Sequence, residues 1–385
     1  MMLKGSGRAF LSNEIIMKIK DVKCEVYLQE SSRSQRSRAQ RRGLPPPAEK
    51  VPFLMLSITA DDGIEGFAFA PRNITEQAVN VIRHVIIDRD PFDREWIWQK
   101  LWELYHYGSG GGPLSLYSLS AVDVALWDLT GKALGQPIYK LLGAYRDKIR
   151  IYASSDLLPS PQHYFDEVTS CKNQGITAYK LHVNPEIAIE SCRAARRAGG
   201  DDMALMYDPF HCYNREEALR VGRVLEKLNF YWFEEPIPDV DIEGLIMLKE
   251  KLNVPIAATE SAPLSMFTIP EYLVRRACDI VRCDTLVSGG ITPTKKIADM
   301  CNAFGVQCEI HTGGVSSACI SNLHVECAIK NCVFHEMYPW PDIINLFGLK
   351  GHPVPDDEGY IHVPQAPGLG VEIDWEALGK PVASY

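Results

Sequence analysis

Short apolar runs alternate with amphipathic stretches from about residue 149 onward. Eight strand-like runs follow one another: RIYAS, AYKLHV, ALMYDPF, NFYWFEEPI, VPIAATES, DIVRCDT, GVQCEIHTG and NCVFHEMY. Between them lie stretches with apolar residues at helical spacing, such as PEIAIESCRAARRAG and REEALRVGRVLEKL. Buried parallel strands joined by crossover helices have this pattern. Its regularity predicts a parallel barrel over residues 146–345.

The front of the chain has a different pattern. Strand-like MKIKDVKCEVYLQ comes first, then FLMLSITADDGIEGFAFAP with a turn in its middle, and helical periodicity follows. Strands first and helices afterwards predict an α+β domain over residues 17–145. Residues 1–16 show little pattern, and we expect a disordered extension. Residues 346–385 are loop-rich, and we expect them to return to the front domain.

One segment inside the front domain has an unusual composition. Residues 31–50 contain five arginines, Lys50 and three prolines. Such a segment cannot form a core, so it predicts a long mobile loop. It is either a plain surface loop or a flap that brings Arg33 and Arg36 to an anionic substrate.

Three acidic residues close neighbouring apolar runs at equal intervals. Asp208, Glu234 and Glu260 end the runs ALMYD, FYWFE and IAATE, 26 residues apart in turn. In a barrel, one carboxylate for each strand meets its neighbours at the carboxyl-terminal face, where active sites lie. Hard oxygen ligands of this kind suit Mg²⁺. Chance spacing among 49 acidic residues is the alternative, and the position of all three at strand ends favours the metal site.

Composition excludes several classes of protein. A net charge of −9 argues against nucleic acid as a partner. No apolar run reaches about 18 residues, so we expect no membrane span. No secretory signal is visible. The eleven cysteines include no CxxC pair, which favours reduced thiols in a cytoplasmic protein.

Further chemistry-bearing residues lie at the predicted strand ends. Lys180 and His182 are separated by one residue in the second run, so both point into the barrel. Asp284, His311 and Glu336 lie at the ends of the sixth, seventh and eighth runs. The face that carries the three carboxylates therefore also carries candidate acids and bases.

The ordered motifs resemble one known family. The segments AYKLHV, FEEP, ATES, CDTLVSGGIT, EIHTGG and FHE resemble the barrel of the enolase superfamily, in its mandelate racemase / muconate lactonizing enzyme branch. The segment SAVDVALWDLTGKALGQPIYKLLGA resembles the capping-domain helix of that family. The resemblance extends from Met17 to the end of the chain. It implies a modified (β/α)7β TIM-type barrel with an α+β N-terminal capping domain.

The resemblance also implies roles. The three carboxylates Asp208, Glu234 and Glu260 match the Mg²⁺ ligands. Asp284 and His311 match a dyad in which the carboxylate orients the imidazole. Glu336 matches an electrophilic acid that hydrogen-bonds the substrate carboxylate, and Lys180 matches the first lysine of a Lys-x-Lys motif.

The chain departs from this pattern at two positions. The second lysine of the motif, usually the base, is His182 here. Three readings follow: His182 is the base with Lys180 in support, Lys180 is the base, or His311 performs both proton transfers. Phe210 occupies a position that is more often polar, so His211 is either a substrate contact or an ordinary surface residue.

The leading functional hypothesis is a lyase that dehydrates a sugar acid. It would remove the proton α to the carboxylate through a metal-stabilised enediolate, and lose the β-hydroxyl to give a 2-keto-3-deoxy acid. The alternative is a racemase or epimerase of a 2-hydroxy or related carboxylic acid that uses the same residues. A third reading is a non-catalytic relative. We expect a small carboxylate as substrate and, from the family, a homo-oligomer.

Overall fold

A computed structural model describes residues 17–31, 39, 44–70, 74–107, 112–260, 262, 265–312, 316–338 and 348–385. Arg33 and Arg36, and the proposed extension 1–16, lie outside these residues. The strands are β1 (Ile19–Glu30), β2 (Lys50–Ala60), β3 (Glu65–Ala70), β4 (Lys148–Ser154), β5 (Ala178–His182), β6 (Ala204–Asp208), β7 (Trp232–Glu234), β8 (Ile256–Ala258), β9 (Ile280–Cys283), β10 (Gln307–Ile310), β11 (Phe334–Met337), β12 (Leu349–Lys350), β13 (Tyr360–His362), β14 (Glu372–Ile373) and β15 (Ala383–Ser384).

The helices are α1 (Glu76–Ile86), α2 (Arg94–Tyr107), α3 (Leu116–Ala133), α4 (Ile138–Leu141), α5 (Pro161–Asn173), α6 (Ala188–Gly199), α7 (Arg215–Lys227), α8 (Ile242–Lys251), α9 (Ile269–Arg275), α10 (Ile291–Ala303), α11 (Ser316–Ala328) and α12 (Trp375–Leu378).

The front domain is an antiparallel sheet covered by helices. The strand order is β15-β1-β2-β3, so a strand from the end of the chain completes the sheet. The pairing of β1 with β2 extends to Glu30 and Lys50. Lys50 therefore lies in a strand, which corrects the expectation that it belongs to the basic loop. The two strands pair over a longer stretch than the alternation of apolar and polar residues in the sequence indicated.

Helix α3 is buried along most of its length and packs between the two domains. A capping box between Ser115 and Ser118 begins the helix. On the barrel side, Asp123 accepts hydrogen bonds from the Thr292 backbone N–H (2.9 Å) and hydroxyl (2.6 Å) at the start of α10. The Trp127 indole N–H also donates to the Thr292 hydroxyl (2.9 Å). These contacts place the front domain directly against the barrel.

The second part of the chain is the predicted barrel. Strands β4 to β11 are parallel and alternate with helices α5 to α11, in the order β10-β9-β8-β7-β6-β5-β4-β11. The seam between β10 and β11 is bridged by the Glu309 side chain, which accepts the N–H groups of Val333 (2.8 Å) and Phe334 (3.1 Å). The predicted (β/α)7β fold with an α+β capping domain is confirmed.

An apolar layer fills the barrel below the strand ends. It is formed by one side chain from each of seven strands: Tyr152, Ala178, Met206, Trp232, Ala257, Ile280 and Phe334. The barrel therefore has a packed apolar layer beneath its carboxyl-terminal mouth. All eleven cysteines are free thiols. In the part of the chain that the structure describes, no helix is long and apolar enough to cross a membrane.

Candidate active site

Eight of the predicted site residues lie at the carboxyl-terminal ends of barrel strands. Lys180 and His182 are in β5, Asp208 ends β6 and Glu234 ends β7, while Glu260 follows β8 by two residues. Asp284 and His311 directly follow β9 and β10, and Glu336 lies in β11. Most of these side chains are buried. Burial of so many ionisable groups in one place is typical of a functional site.

The backbone turns sharply at three of these strand ends. Phe210, His211, Glu235 and Thr259 have φ angles of 53°, 60°, 40° and 87°, in the left-handed region that side chains disfavour. Such conformations persist only where surrounding contacts enforce them, and they cluster at active sites. Here they redirect the chain just after Asp208 and Glu234 and just before Glu260.

Lys180 is fully buried between two carboxylates. Its Nζ lies 2.9 Å from Glu234 Oε1 and 2.8 Å from Glu336 Oε1. Burial alone would lower the pKa of Lys180, but the charges of Glu234 and Glu336 outweigh it and raise the pKa above its usual value. This pairing disfavours the reading in which Lys180 is the base, because both carboxylates stabilise its charged form.

Arg282, in β9, is a central residue that the sequence interpretation missed. Its side chain is fully buried, with Nη2 2.8 Å from Glu336 Oε2 and Nε 3.1 Å from Glu234 Oε1. Nη2 also donates to the Tyr152 hydroxyl (3.1 Å). The signal for it in the sequence was an arginine inside the otherwise apolar run DIVRC, two residues before Asp284.

Glu336 is held by cations on both oxygens. Besides Lys180 and Arg282, it accepts the backbone N–H of Thr312 at 3.1 Å. Burial alone would raise the pKa of Glu336, but the charges of Lys180, His311 and Arg282 hold it well below its usual range. The expected role as a protonated acid is therefore not favoured by this geometry, because an ionised carboxylate accepts hydrogen bonds and donates none.

His182 has one nitrogen committed and one directed at the predicted metal ligands. Its Nδ1 lies 2.5 Å from the Ser155 carbonyl oxygen, which can only accept a hydrogen bond. Nδ1 therefore carries a proton, and Nε2 lies 3.1 Å from Asp208 Oδ2. The ring stacks on Phe210 with centroids 4.5 Å apart. A carboxylate oxygen also only accepts, so Nε2 can act as a base only when Asp208 Oδ2 turns to another partner, such as a metal ion.

The dyad predicted from the resemblance is assembled on the other side of the mouth. His311 Nδ1 lies 3.0 Å from Asp284 Oδ2, and His311 Nε2 lies 3.2 Å from Glu260 Oε1. Asp284 is oriented in turn by the Asn322 side-chain amide (3.0 Å). Burial lowers the pKa of His311, but the Glu260 charge and the Asp284 hydrogen bond raise it above the usual value. A proton-donating imidazolium fits this environment.

The donor set of Asp208, Glu234 and Glu260 fits a hard divalent cation. Burial raises the pKa of Glu260, and so do the neighbouring charges of Asp208 and Glu234. The three carboxylates are thus close enough to repel one another, and a cation between them relieves that repulsion. Lys180 and Arg282 meanwhile occupy one oxygen of Glu234, and the Trp232 indole N–H donates to the other (2.8 Å).

A second group of possible metal ligands lies a few residues further along the chain, in the loops that follow β6 and β7. In the described residues, His211, Glu235 and Asp239 are the set whose ligand atoms all lie within 4.8 Å of one another. His211 Nε2 lies 2.6 Å from Glu235 Oε2, and its Nδ1 lies 3.1 Å from the Ile237 carbonyl oxygen. Burial alone would lower the pKa of His211, but Glu235 raises it to about 10.

His211 thus pairs with Glu235, and whether it contacts substrate or is an ordinary surface residue stays a prediction. Glu235 in turn accepts the Glu260 backbone N–H (3.0 Å), so this group supports the backbone of a predicted metal ligand. The other two predicted substrate contacts, Arg33 and Arg36, lie outside the described residues. Their role stays a prediction.

Family models match both the front part and the barrel part of the chain. Residues 47–143 match the mandelate racemase / muconate lactonizing enzyme N-terminal domain, and residues 164–377 match an enolase C-terminal domain-like family. Arabinonate dehydratase of Saccharolobus solfataricus is 30% identical over 92% of this chain and 96% of its own length. L-talarate/galactarate dehydratase of Salmonella typhimurium is 35% identical over 67% of each chain.

Solved structures agree with these matches. D-glucarate dehydratase from Agrobacterium tumefaciens, complexed with magnesium, has a TM-score of 0.84 and 34% sequence identity, covering 94% of this chain and 98% of its own. The 3,6-anhydro-D-galactonate cycloisomerase from Zobellia galactanivorans has a TM-score of 0.80 and 26% identity, covering 94% of this chain and 98% of its own.

Proposed function

Because this chain belongs to the mandelate racemase / muconate lactonizing enzyme branch of the enolase superfamily, we propose that it is a Mg²⁺-dependent dehydratase of an aldonate or aldarate. The observation that carries the proposal is the placement of two histidines on opposite sides of the three carboxylates. His182 contacts Asp208 and His311 contacts Glu260. Dehydration needs a base at the α-carbon and an acid at the β-hydroxyl, and the two rings supply them.

His182 is the base in this proposal. Its Nδ1–H is fixed on the Ser155 carbonyl, so Nε2 takes the C2 proton while the electron pair moves into the substrate carboxylate to form an enediolate. Lys180 keeps its proton and contributes fixed positive charge from within the barrel. Magnesium held by Asp208, Glu234 and Glu260 would, when bound, supply further positive charge beside the carboxylate.

His311 is the acid. As the enediolate collapses, the bond from C3 to its hydroxyl breaks and the proton on His311 Nε2 leaves with the hydroxyl as water. Asp284 stabilises the imidazolium and holds Nδ1–H in place, as a carboxylate does in other histidine dyads. The enol product then tautomerises to a 2-keto-3-deoxy acid, so the net reaction is the loss of one water molecule.

A substrate screen tests the reaction. The purified chain is incubated with Mg²⁺ and a set of aldonates and aldarates, and 2-keto acids are detected by their semicarbazones. We expect product from at least one acid and none from a His311→Asn variant. If no member of either class gives a keto acid, the proposed substrate class is wrong.

Isotope exchange in D₂O tests the two histidines separately. We expect His311→Asn to exchange the C2 proton without elimination, and His182→Asn to lose both exchange and elimination. If exchange persists in His182→Asn and disappears in His311→Asn, His311 performs both transfers. Inversion at C2 with no loss of water would indicate the racemase alternative, since bases on both faces also serve that reaction.

A further inference from the structure

Four buried charges form a closed ring beneath the mouth of the barrel. Lys180 contacts Glu234 (2.9 Å), Glu234 contacts Arg282 (3.1 Å), Arg282 contacts Glu336 (2.8 Å), and Glu336 returns to Lys180 (2.8 Å). All four side chains are at most 2% exposed. The signs alternate around the ring, so its net charge is zero.

None of these four residues transfers a proton in the proposed reaction, and Arg282 is the one to which neither the sequence interpretation nor the proposed function gives a role. Its guanidinium group reaches two carboxylates from non-neighbouring strands, β7 and β11: Nη2 donates to Glu336, and Nε forms an ion pair with Glu234 without an aligned hydrogen bond. Its remaining donors reach the Tyr152 hydroxyl (3.1 Å) and the backbone carbonyls of Glu309 and Ile310 (3.3 and 3.4 Å). Arg282 therefore contacts residues of four other strands, and these contacts fix its position inside the barrel.

We propose that Arg282 is a positioning residue that holds Glu234 and Glu336 at their working places, acting through those carboxylates and not on the substrate. Both carboxylates belong to the site: Glu234 is a predicted metal ligand, and Glu336 anchors Lys180. Partners that orient a metal ligand in this way usually influence metal affinity by about 10-fold to 100-fold. The inference rests on the proposed function only for its kinetic readout.

The affinity for Mg²⁺ distinguishes a charge effect of Arg282 from a positioning effect, because the two predict changes of Kd in opposite directions. Removing a positive charge near a cation site strengthens cation binding by Coulomb's law. Removing a residue that orients a ligand weakens it. In calorimetric titrations with Mg²⁺ we expect Arg282→Lys and Arg282→Gln to raise Kd by about 10-fold or more. A Kd that is unchanged or lower in either variant, while it remains folded, overturns the proposal.

Two further variants distinguish a misplaced metal ligand from a general loss of folding. Glu336→Gln leaves Arg282 on Glu234, so its Kd for Mg²⁺ should stay within a few-fold of the native value. The double variant Arg282→Gln/Glu336→Gln removes one charge of each sign and keeps the ring neutral, yet its Kd should be as weak as that of Arg282→Gln. A double variant with the affinity of Glu336→Gln contradicts the proposal.

Arg150 provides a matched arginine outside the site. It lies in β4 and donates to the Thr177 hydroxyl (3.0 Å) and the Tyr360 hydroxyl (2.9 Å). Arg150→Gln should leave kcat and the Mg²⁺ Kd unchanged, whereas Arg282→Lys should lower kcat by about 10-fold to 100-fold. If the native chain makes no keto acid but Arg282 variants still lose Mg²⁺, the substrate assignment fails and this inference stands. A native chain that binds no Mg²⁺ overturns both.

Discussion

At the scale of single residues, the site depends on which partner occupies each polar atom. His182 and His311 are both imidazoles beside predicted metal ligands, but a carbonyl holds the Nδ1 of one and a carboxylate holds the Nδ1 of the other. A carbonyl oxygen fixes a proton on Nδ1 without adding a charge beside the ring, while a carboxylate also stabilises the charged ring. This difference assigns the base to His182 and the acid to His311 in the proposed mechanism.

Replacing the dyad carboxylate should therefore impair the acid step. Asp284→Asn keeps the size of the side chain but removes the charge that stabilises the His311 imidazolium, so we expect kcat for keto-acid formation to fall by about 100-fold or more. Steady-state kinetics on the substrate found in the screen measures it.

A second buried carboxylate–histidine pair serves as the control. Glu326 Oε2 lies 2.7 Å from His335 Nδ1, away from the mouth of the barrel. Glu326→Gln should leave kcat near the native value even if it changes the free energy of unfolding. Equal losses of kcat in the two variants would show that burial, and not the dyad, causes the effect.

At the scale of elements, three neighbouring strands present one carboxylate each. Asp208 ends β6, Glu234 ends β7 and Glu260 follows β8 by two residues, and residues with left-handed backbone lie beside each of them. Repulsion among these carboxylates raises the pKa of Glu260 in addition to the effect of burial. The strand ends are thus arranged at some cost in stability unless a cation joins them.

Chelation of divalent cations should therefore lower the melting temperature, and Mg²⁺ should restore it. A cation at about 100 times its Kd adds roughly 2.7 kcal/mol to the free energy of unfolding. Differential scanning calorimetry with EDTA and then with excess Mg²⁺ measures the change.

Two variants decide which group of ligands holds the metal. Glu260→Gln should lose most of the Mg²⁺ response, whereas Asp239→Asn, in the neighbouring group with His211 and Glu235, should keep it. The opposite result would move the metal to that neighbouring group, since its ligand atoms are also close together.

At the scale of the whole molecule, buried polar side chains join parts of the chain that are distant in sequence. His324 in α11 is fully buried; its Nδ1 accepts the Tyr139 N–H of α4 (3.2 Å) and its Nε2 donates to the Leu369 carbonyl (3.1 Å). The capping domain, the barrel and the C-terminal segment meet at this ring. Burial lowers the pKa of His324 to about 4.

This histidine should make stability depend on pH. Its folded pKa is lower than the unfolded value of about 6.5, so its contribution is present above that pH and is lost as pH falls toward 4. The loss approaches roughly 3 kcal/mol once pH is below both values. Urea unfolding at about pH 7 and about pH 4.5 measures it.

The variant His324→Gln should show a smaller loss of unfolding free energy between these two pH values than the native chain. His362, which is mostly exposed beside Asp356, provides the control. His362→Gln should keep the native pH dependence. If His324→Gln and the native chain lose the same free energy, the ring does not titrate on unfolding in this range.

Much of the architecture was predictable from the sequence. Strands buried on both faces must be apolar, so the eight runs and their helical connections indicated the barrel, and chain order alone placed Asp208, Glu234 and Glu260 on adjacent strand ends. The motifs around Asp284 and His311 indicated the dyad through resemblance. These features depend on local composition and on spacing along the chain.

Only the tertiary structure decided how the charges are paired. Lys180 and Glu234 are 54 residues apart, and so are Arg282 and Glu336. Their contacts exist because the barrel closes and brings strands that are not neighbours in sequence across a narrow interior. The pairings shift the pKa values: that of Glu336 is lowered by Lys180, His311 and Arg282, and those of Lys180 and His211 are raised by the carboxylates beside them. A residue's type sets its ordinary pKa, but burial and the charges packed beside it decide its state.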